Sequence, residues 1–454
     1  MVSGLAGVEA DDGAQHGGTS PVRYGLGMFG TSLPINLVKG SMFFVYVDLL
    51  GLDAAVYATV YAVYGVLDAL DNPVFGYLSD RTRSRWGRRR PYLVVGALVL
   101  ACTTVALFTV PGPVAESAVG LTVWFALFAI TTEMADSLIN ASYGALLPEL
   151  FTQERRRATA NAVRQGAQLV ALVVALALTP VLARSVLGTE GSAVGYGRLA
   201  VIFGVVAAVV ILWTAFGVRE DRALDAEPRP RFFRSVREVL STPQFWTVGV
   251  VNACYGAAMA LVLGGLQLYV QYTLEGSALD ASILQLVVIA AAIGMLSVWA
   301  AVVRRKGAAW TWRLALPVAA AGFVPMYFAT DLLTGILGGL AVAVGYSGVL
   351  ATNDLVIARV LDADAARHGV HRSGLFLAAF GVLGRLNALV TAGAVLSLAV
   401  FFGYHSGDDP GPDPAGAFRV YLSLYPFALL LVGTVVSRFI RLPAAPEDAS
   451  PVMR

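Results

Sequence analysis

The sequence is poor in charge, cysteine and histidine, and each scarcity closes a class of explanation. Charged residues are 14% of 454 positions against a hydrophobic share of 57%, too few to coat a soluble fold of that size. The two cysteines, Cys102 and Cys254, fall in apolar runs and read as small buried hydrophobes, not as a disulfide or metal pair. The four histidines, His16, His368, His371 and His405, lie in tails or loops. No Cys/His metal spacing occurs, and no glycine-rich phosphate loop joins a strand to a helix, so neither an enzyme nor a resident cofactor is expected. A formal charge of +2 is too small to imply a nucleic-acid partner. Residues 1–22 lack a basic stretch followed by an apolar one, so no cleavable signal is expected there, only a floppy cytoplasmic tail.

What the chain has in abundance is apolar runs of membrane-spanning length, with a mean hydropathy of +0.70. A spanning helix needs roughly 20 such residues. The runs predict an all-α integral membrane protein of twelve transmembrane helices: Tyr24 to Leu50, Leu52 to Leu78, Tyr92 to Val110, Val119 to Leu147, Ala160 to Val186, Arg198 to Val218, Phe245 to Tyr272, Ile283 to Val303, Trp312 to Ala329, Leu332 to Leu361, Ser373 to Tyr404 and Gly416 to Arg438. The expected domains are the tail 1–22, a first six-helix bundle 23–218, a linker 219–243 with an amphipathic segment, a second bundle 244–440 and a tail 441–454. An even count puts both termini on one side. Arginines crowd the second loop (Arg81, Arg83, Arg85, Arg88, Arg89, Arg90), the fourth (Arg155 to Arg157) and the eighth (Arg304, Arg305, Lys306), which marks that side as cytoplasmic. The opposite loops are acidic: Asp48 and Asp53, Glu116, Glu190, Glu275 and Asp280, Asp331, and Asp408, Asp409 and Asp413.

A charge at the bilayer centre costs on the order of 3 kcal/mol on insertion scales, so deep charges face a cavity and a partner. In the first helix Ser32, Asn36 and Lys39 form one stripe at i, i+4 and i+7. Asp68, Asp71 and Asn72 share a face of the second, Glu133, Asp136, Ser137 and Asn140 of the fourth, and Asn161, Arg164, Gln165 and Gln168 of the fifth. The second half is sparser, with Asn252 and Tyr255, Asn353 and Asp354, and Arg385. Lys39, Arg164 and Arg385 are opposed by Asp68, Asp71, Glu133 and Asp136, one carboxylate in excess. A proton or Na⁺ would balance it, which makes coupled transport the expectation. Pairing of these groups as structural ion bridges is the plainer alternative for any one residue.

The stretch from Leu67 to Pro91, LDALDNPVFGYLSDRTRSRWGRRRP, resembles the signature of the glycoside-pentoside-hexuronide:cation symporters, the melibiose-permease-like branch of the major facilitator superfamily. YGLGMFG from Tyr24, NASYGALLPEL from Asn140 with ERRR from Glu154, and DADAARHGVHRSGLFLAAF from Asp362 agree with it. The resemblance implies two six-helix bundles and alternating access. It places Asp68 in the coupling-cation site with Asp71 and Asn72 beside it and Ser137 as a hydroxyl ligand, to which the stripe of the fourth helix adds Asp136; Na⁺ at Asp68, Asp71 and Ser137 is one option and H⁺ the other. Ser32, Asn36, Lys39, Glu133, Asn140, Arg164, Tyr255 and Arg385 are the expected substrate residues; Asp80, Arg81, Arg85, Arg88 and Arg89 are gating candidates that clasp carboxylates and helix ends. The chain departs from the pattern where Asp71 precedes Asn72, an order that turns the carboxylate by about 100° around the helix. It departs again where Ser32 and Asn140 replace acidic sugar ligands, and where Arg385 stands in a lysine slot, which favours an anionic solute such as a uronide.

The expected protein is therefore a monomer in the plasma membrane that moves a small polar or amphiphilic solute: a sugar, glycoside or uronide symporter. A lysolipid carrier, an uncoupled facilitator or exporter, and a non-transporting receptor or scaffold are the alternatives.

Overall fold

The computed structural model describes residues 19–82, 84–151, 153–218, 241–368, 373–385 and 387–440. Most of each tail and of the linker, and the side chains of Asn72, Asp80 and Arg81, lie outside the described residues, so the expectations placed on them are not addressed. The first half consists of α1 (Pro21–Phe43, continued by a π-helical turn Phe44–Leu49), α2 (Ala54–Arg81), α3 (Arg90–Phe108), α4 (Ala118–Leu150), α5 (Glu154–Leu172, continued by π turns Val173–Ala177 and Leu182–Val186) and α6 (Val194–Gly217). The second consists of α7 (Pro243–Leu268, with a π turn Tyr269–Thr273), α8 (Ala278–Lys306), α9 (Ala308–Phe328), α10 (Leu332–His368), α11 (Ser373–Arg385 and Asn387–Phe402) and α12 (Pro414–Arg419, a π turn Val420–Leu424, and Tyr425–Ser437).

Local chemistry starts and stops these rods where the apolar runs do. Asp53 caps α2, its carboxylate accepting from the amides of Ala55 at 2.9 Å and Val56 at 3.1 Å, and Ser117 caps α4 through Gly120. Ser277 and Asp280 form a reciprocal capping box on α8, while Arg304, Arg305 and Lys306 fill its last turn against the negative end of the helix dipole. Gly307 then takes φ +79°, a conformation glycine adopts freely, and α9 begins at once. At the start of α10 the Thr334 backbone amide, with side-chain hydroxyls nearby, holds the exposed Asp331 carboxyl below the usual range. The observed α10 runs to His368, two turns past the apolar run, because it continues through the polar Asp362 to Ala366 stretch.

Nine helices among the described residues are long and apolar enough to cross a membrane. The three others, α1, α2 and α9, carry Lys39, Asp68 and Asp71, and Arg313 with two internal prolines respectively. Large apolar side chains face outward all round: Val119, Phe328 and Phe401 are each more than 70% exposed, which in water would be unstable and in lipid is the solvated state. Cys102 is exposed on this exterior, not buried as expected; its neighbours Val95, Leu98 and Val99 point the same way.

Within the first half α1 packs on α5 and α6, α3 lies between α4 and α6, and α2 lies along α4. In the second, α10 packs on α8 and α9, and α12 on α7 and α9. The halves meet along α2 with α11, α1 with α7, and α5 with α8. The α2–α11 approach is set by size: a side-chain carbon at Gly65 would overlap Ala388, so the two backbones come together where one residue has none.

Candidate functional site

Of the residues read from the sequence, Arg385, Asp68, Asp71 and Ser137 converge near the middle of the rods, and they do so across the halves. The Arg385 guanidinium of α11 is ion-paired to Asp68 and lies 3.5 Å from Asp71 Oδ1. Its Nη1 also donates to Ser137 Oγ at 3.1 Å and to the Asp68 backbone carbonyl at 2.7 Å. Ser137 Oγ in turn lies 3.5 Å from Asp68 Oδ1. One nitrogen thus sits among oxygens from α2 and α4, where a small cation would find the same donors. Lys39, expected as an alternative partner for Asp68 or Asp71, makes no ion pair among the described residues; it stands exposed to a cavity of about 20 Å³, room for roughly one water molecule or a small ion.

The wall of that small cavity holds residues the sequence reading missed. Tyr57, Tyr61 and Tyr64, at i, i+4 and i+7 on α2, stack face to face with centroids 5.7 and 5.1 Å apart. The Tyr64 hydroxyl donates to the Glu133 carboxylate, and among the described residues Glu133 is held by this tyrosine and makes no ion pair. The spacing of the three tyrosines was visible, but it reads equally well as membrane-facing aromatics. Asp136, one turn further along α4, is 5% exposed and its Oδ1 has no hydrogen-bond partner among the described residues.

Other expected residues are not brought to this centre. Asn36 donates back to the Ser32 carbonyl of its own helix at 2.8 Å. Arg164 lies beside Tyr24 and Tyr143, the latter two turns, about 10 Å, from Asp136; there Tyr143 hydrogen-bonds the Tyr24 carbonyl. Asn140 lies one turn from Asp136 on the same helix. Tyr255 stacks on Tyr346 at 5.5 Å, next to an Asn353–Asn252 hydrogen bond of 3.1 Å. Among the gating candidates, Arg88 and Arg89 converge on Glu149 at 2.9 and 2.7 Å, and Arg89 also reaches Ser79; Arg85 is exposed. The arginine loop is thereby fastened to the end of α4 in its own half.

The end of the molecule with the acidic loops is sealed by bonds between halves. Asp48, in the π turn of α1, accepts from Tyr272 at 2.6 Å and Gln271 at 2.9 Å in the π turn of α7, and from Tyr404 at 3.2 Å after α11. Gln267 donates to Gly40 and Ser41 of α1 while accepting from Tyr196 at 2.6 Å. His405 Nδ1 lies 3.1 Å from Asp53, and the Ala54 amide bonds the His405 carbonyl. The Val181 amide bonds Ser282, joining α5 to α8. Neither Asp48 nor the glutamines of α7 were singled out from the sequence, where Asp48 counted only toward loop charge.

Two packed helical halves, apolar outside, with opposed charges shared between them at mid-depth, have the layout of a multi-pass membrane transporter. The chain belongs to the family described as MFS/sugar transport protein, whose match spans residues 23–444. It is 26% identical over 355 residues to the isoprimeverose transporter of Lactiplantibacillus pentosus, covering 78% of this chain and 72% of that one. It is 29% identical over 263 residues to a putative sulfoquinovose importer of Salmonella typhimurium, covering 56% and 53%, and so spans only about half of that relative's length. The crystal structure of a point mutant of the nucleoside transporter NupG superposes with a TM-score of 0.69 over 92% of this chain and 98% of that one at 9% identity, a likeness of fold.

Proposed function

We propose that the protein is a cation-coupled symporter for a sugar, glycoside or uronide, working by alternating access as a monomer in the plasma membrane with both termini in the cytoplasm. The observation that carries this is the placement of Arg385, from one half, among Asp68, Asp71 and Ser137, from the other. In this state the guanidinium neutralises the carboxylates. An arriving H⁺ or Na⁺ takes over that role, and Arg385 is released toward the hydroxyls or carboxylate of a solute. Binding of ion and solute then become mutually favourable, which is what couples their movement. Asp136, buried with an oxygen unpartnered, is a second seat for a proton. The arginine loops mark the cytoplasmic side, so the sealed acidic end faces outward and the described state is closed to the exterior. Relatives named as an isoprimeverose transporter and a sulfoquinovose importer support a sugar-like solute.

The test is uptake into proteoliposomes across a panel of neutral glycosides, uronides and lysophospholipids with imposed Na⁺ or proton gradients, beside Asp68→Asn. Gradient-driven accumulation lost in Asp68→Asn is expected. Uptake indifferent to both gradients and to the substitution would leave an uncoupled facilitator; absence of uptake for every solute would point to a receptor or scaffold.

A further inference from the structure

Beyond the charged centre, a second cavity of about 140 Å³ lies in the half of the molecule nearer the sealed end. Leu172 and Leu176 of α5 close one side of it, and α7, α8, α9, α10 and α12 supply the rest. Its wall is aliphatic, aromatic and thioether side chains except at Tyr346 and Gln285. Gln285 is 5% exposed and its Oε1 has no hydrogen-bond partner among the described residues, an unusual and costly state for a buried acceptor. A void of this size accepts a benzene-sized guest.

The cavity continues the polar face already described. Moving toward the sealed end, one face of α7 reads Asn252, Tyr255, Met259, Leu263, and α10, running the other way, reads Asn353, Tyr346, Val342, Gly339. Asn252 and Asn353 are bonded to each other, Tyr255 and Tyr346 are stacked, and from Tyr346 onward the wall is that of the cavity. A molecule lying along these two helices would meet amides and phenols at one end and hydrocarbon at the other. α5 and α8, which meet across the halves, flank it.

We propose that this cavity seats the apolar aglycone, an aryl or short alkyl group, of a transported glycoside whose sugar lies toward Asn252 and Asn353. The proposal rests on the transporter reading above. Its size admits one ring or a chain of about five or six carbons. The acceptor on Gln285 adds a preference for an aglycone that carries one hydrogen-bond donor. Such a solute is held by both halves at once, so it would stabilise the state that is closed at the acidic end.

The experiment is competition against uptake by an alkyl glycoside series from methyl to decyl, with phenyl and 4-hydroxyphenyl glycosides, in the parent and in Ala343→Phe, Val262→Phe and Gln285→Leu. Affinity is expected to rise roughly fourfold per methylene, from about 0.8 kcal/mol per buried CH₂, and to level off near six carbons. Either cavity-filling substitution should shorten that limit, read as each glycoside's affinity relative to that of the methyl glycoside in the same variant. Gln285→Leu should remove an about fivefold preference for 4-hydroxyphenyl over phenyl, the ~1 kcal/mol of one hydrogen bond. Hexan-1-ol is added alone in a thermal-shift arm. A series that is flat, or that rises without a limit in parent and filled variants alike, as partition into lipid does, overturns the proposal while the methyl glycoside's transport stands. If hexan-1-ol stabilises the parent and not Ala343→Phe but no glycoside competes, the glycoside reading falls and the proposal with it.

Discussion

Removing the Asp48 carboxylate should open the acidic end. Asp48→Ala deletes an acceptor that takes three side-chain hydrogen bonds, all from the opposite half, and none of them is made once the halves part. A bond to a charged acceptor contributes about 1.5 kcal/mol net at the low end of its range, so three sum to about 4.5 kcal/mol. Water will satisfy Tyr272, Tyr404 and Gln271 in part, so about 2–4 kcal/mol is the working range. That moves the closed-to-open ratio about thirtyfold to about a thousandfold. The readout is a single cysteine at Gly264, which lines the small cavity below the clasp with room for a side chain, on a background lacking Cys102 and Cys254. A membrane-impermeant thiol reagent added from the acidic-loop side should label it much faster in Asp48→Ala than in the parent, with Asp48→Asn between. Equal rates in all three would refute the assignment of Asp48 as the clasp and the sealing role argued from it.

Arg385→Met strands Asp68 and Asp71 without their guanidinium, and a loss of about 3–5 kcal/mol is expected; it should appear as a lower melting temperature in detergent, partly restored by Na⁺ or by acid, whereas no restoration by either ion would argue against a shared cation seat. Gly65→Val should cost about 1–3 kcal/mol by overpacking against Ala388, and Ala388→Gly should recover part of it in a double-mutant cycle. Tyr64→Phe withdraws the hydroxyl that binds the buried Glu133; a stability loss of about 1–3 kcal/mol is expected in thermal unfolding, with an about tenfold loss of uptake beside it, and uptake equal to the parent's would argue against a transport role for Glu133. Glu149→Gln removes the charge shared by Arg88 and Arg89 and should lower stability by about 1–3 kcal/mol, measured by thermal unfolding, with solute affinity unaltered.

The rods and their polar faces were legible in the sequence because period and hydropathy act within one helix. Asp68, Asp71, Ser137 and Arg385 announced themselves as charges or hydroxyls where lipid tolerates few. What faces what across two helices is not written in spacing: Lys39, Arg164 and Arg385 were all set against the same carboxylates, and the packing of α11 on α2 brings Arg385 to the aspartates. Arg164 has the same deep-charge signature yet lies beside Tyr24 and Tyr143, because depth along α5 is invisible to a reading of faces. Asp48 was hidden for another reason. Its π turn lies at the end of an apolar run, where a carboxylate looks like a loop charge, and its three partners lie more than two hundred residues away in the chain.

The near-contact of Gly65 with Ala388 also has a mechanical meaning. Where the Ala388 methyl of one half seats directly on the Gly65 backbone of the other, neither helix can translate freely, and the crossing acts as a fulcrum. Asp53 is twelve residues along α2 from that point, about 18 Å. Each 10° of rocking therefore carries the acidic end through about 3 Å, while a hydrogen bond loses its hold within about half an ångström. The first few degrees of motion break the Asp48 and His405 bonds together, so a smooth rotation at mid-membrane becomes an abrupt, all-or-none release at the rim.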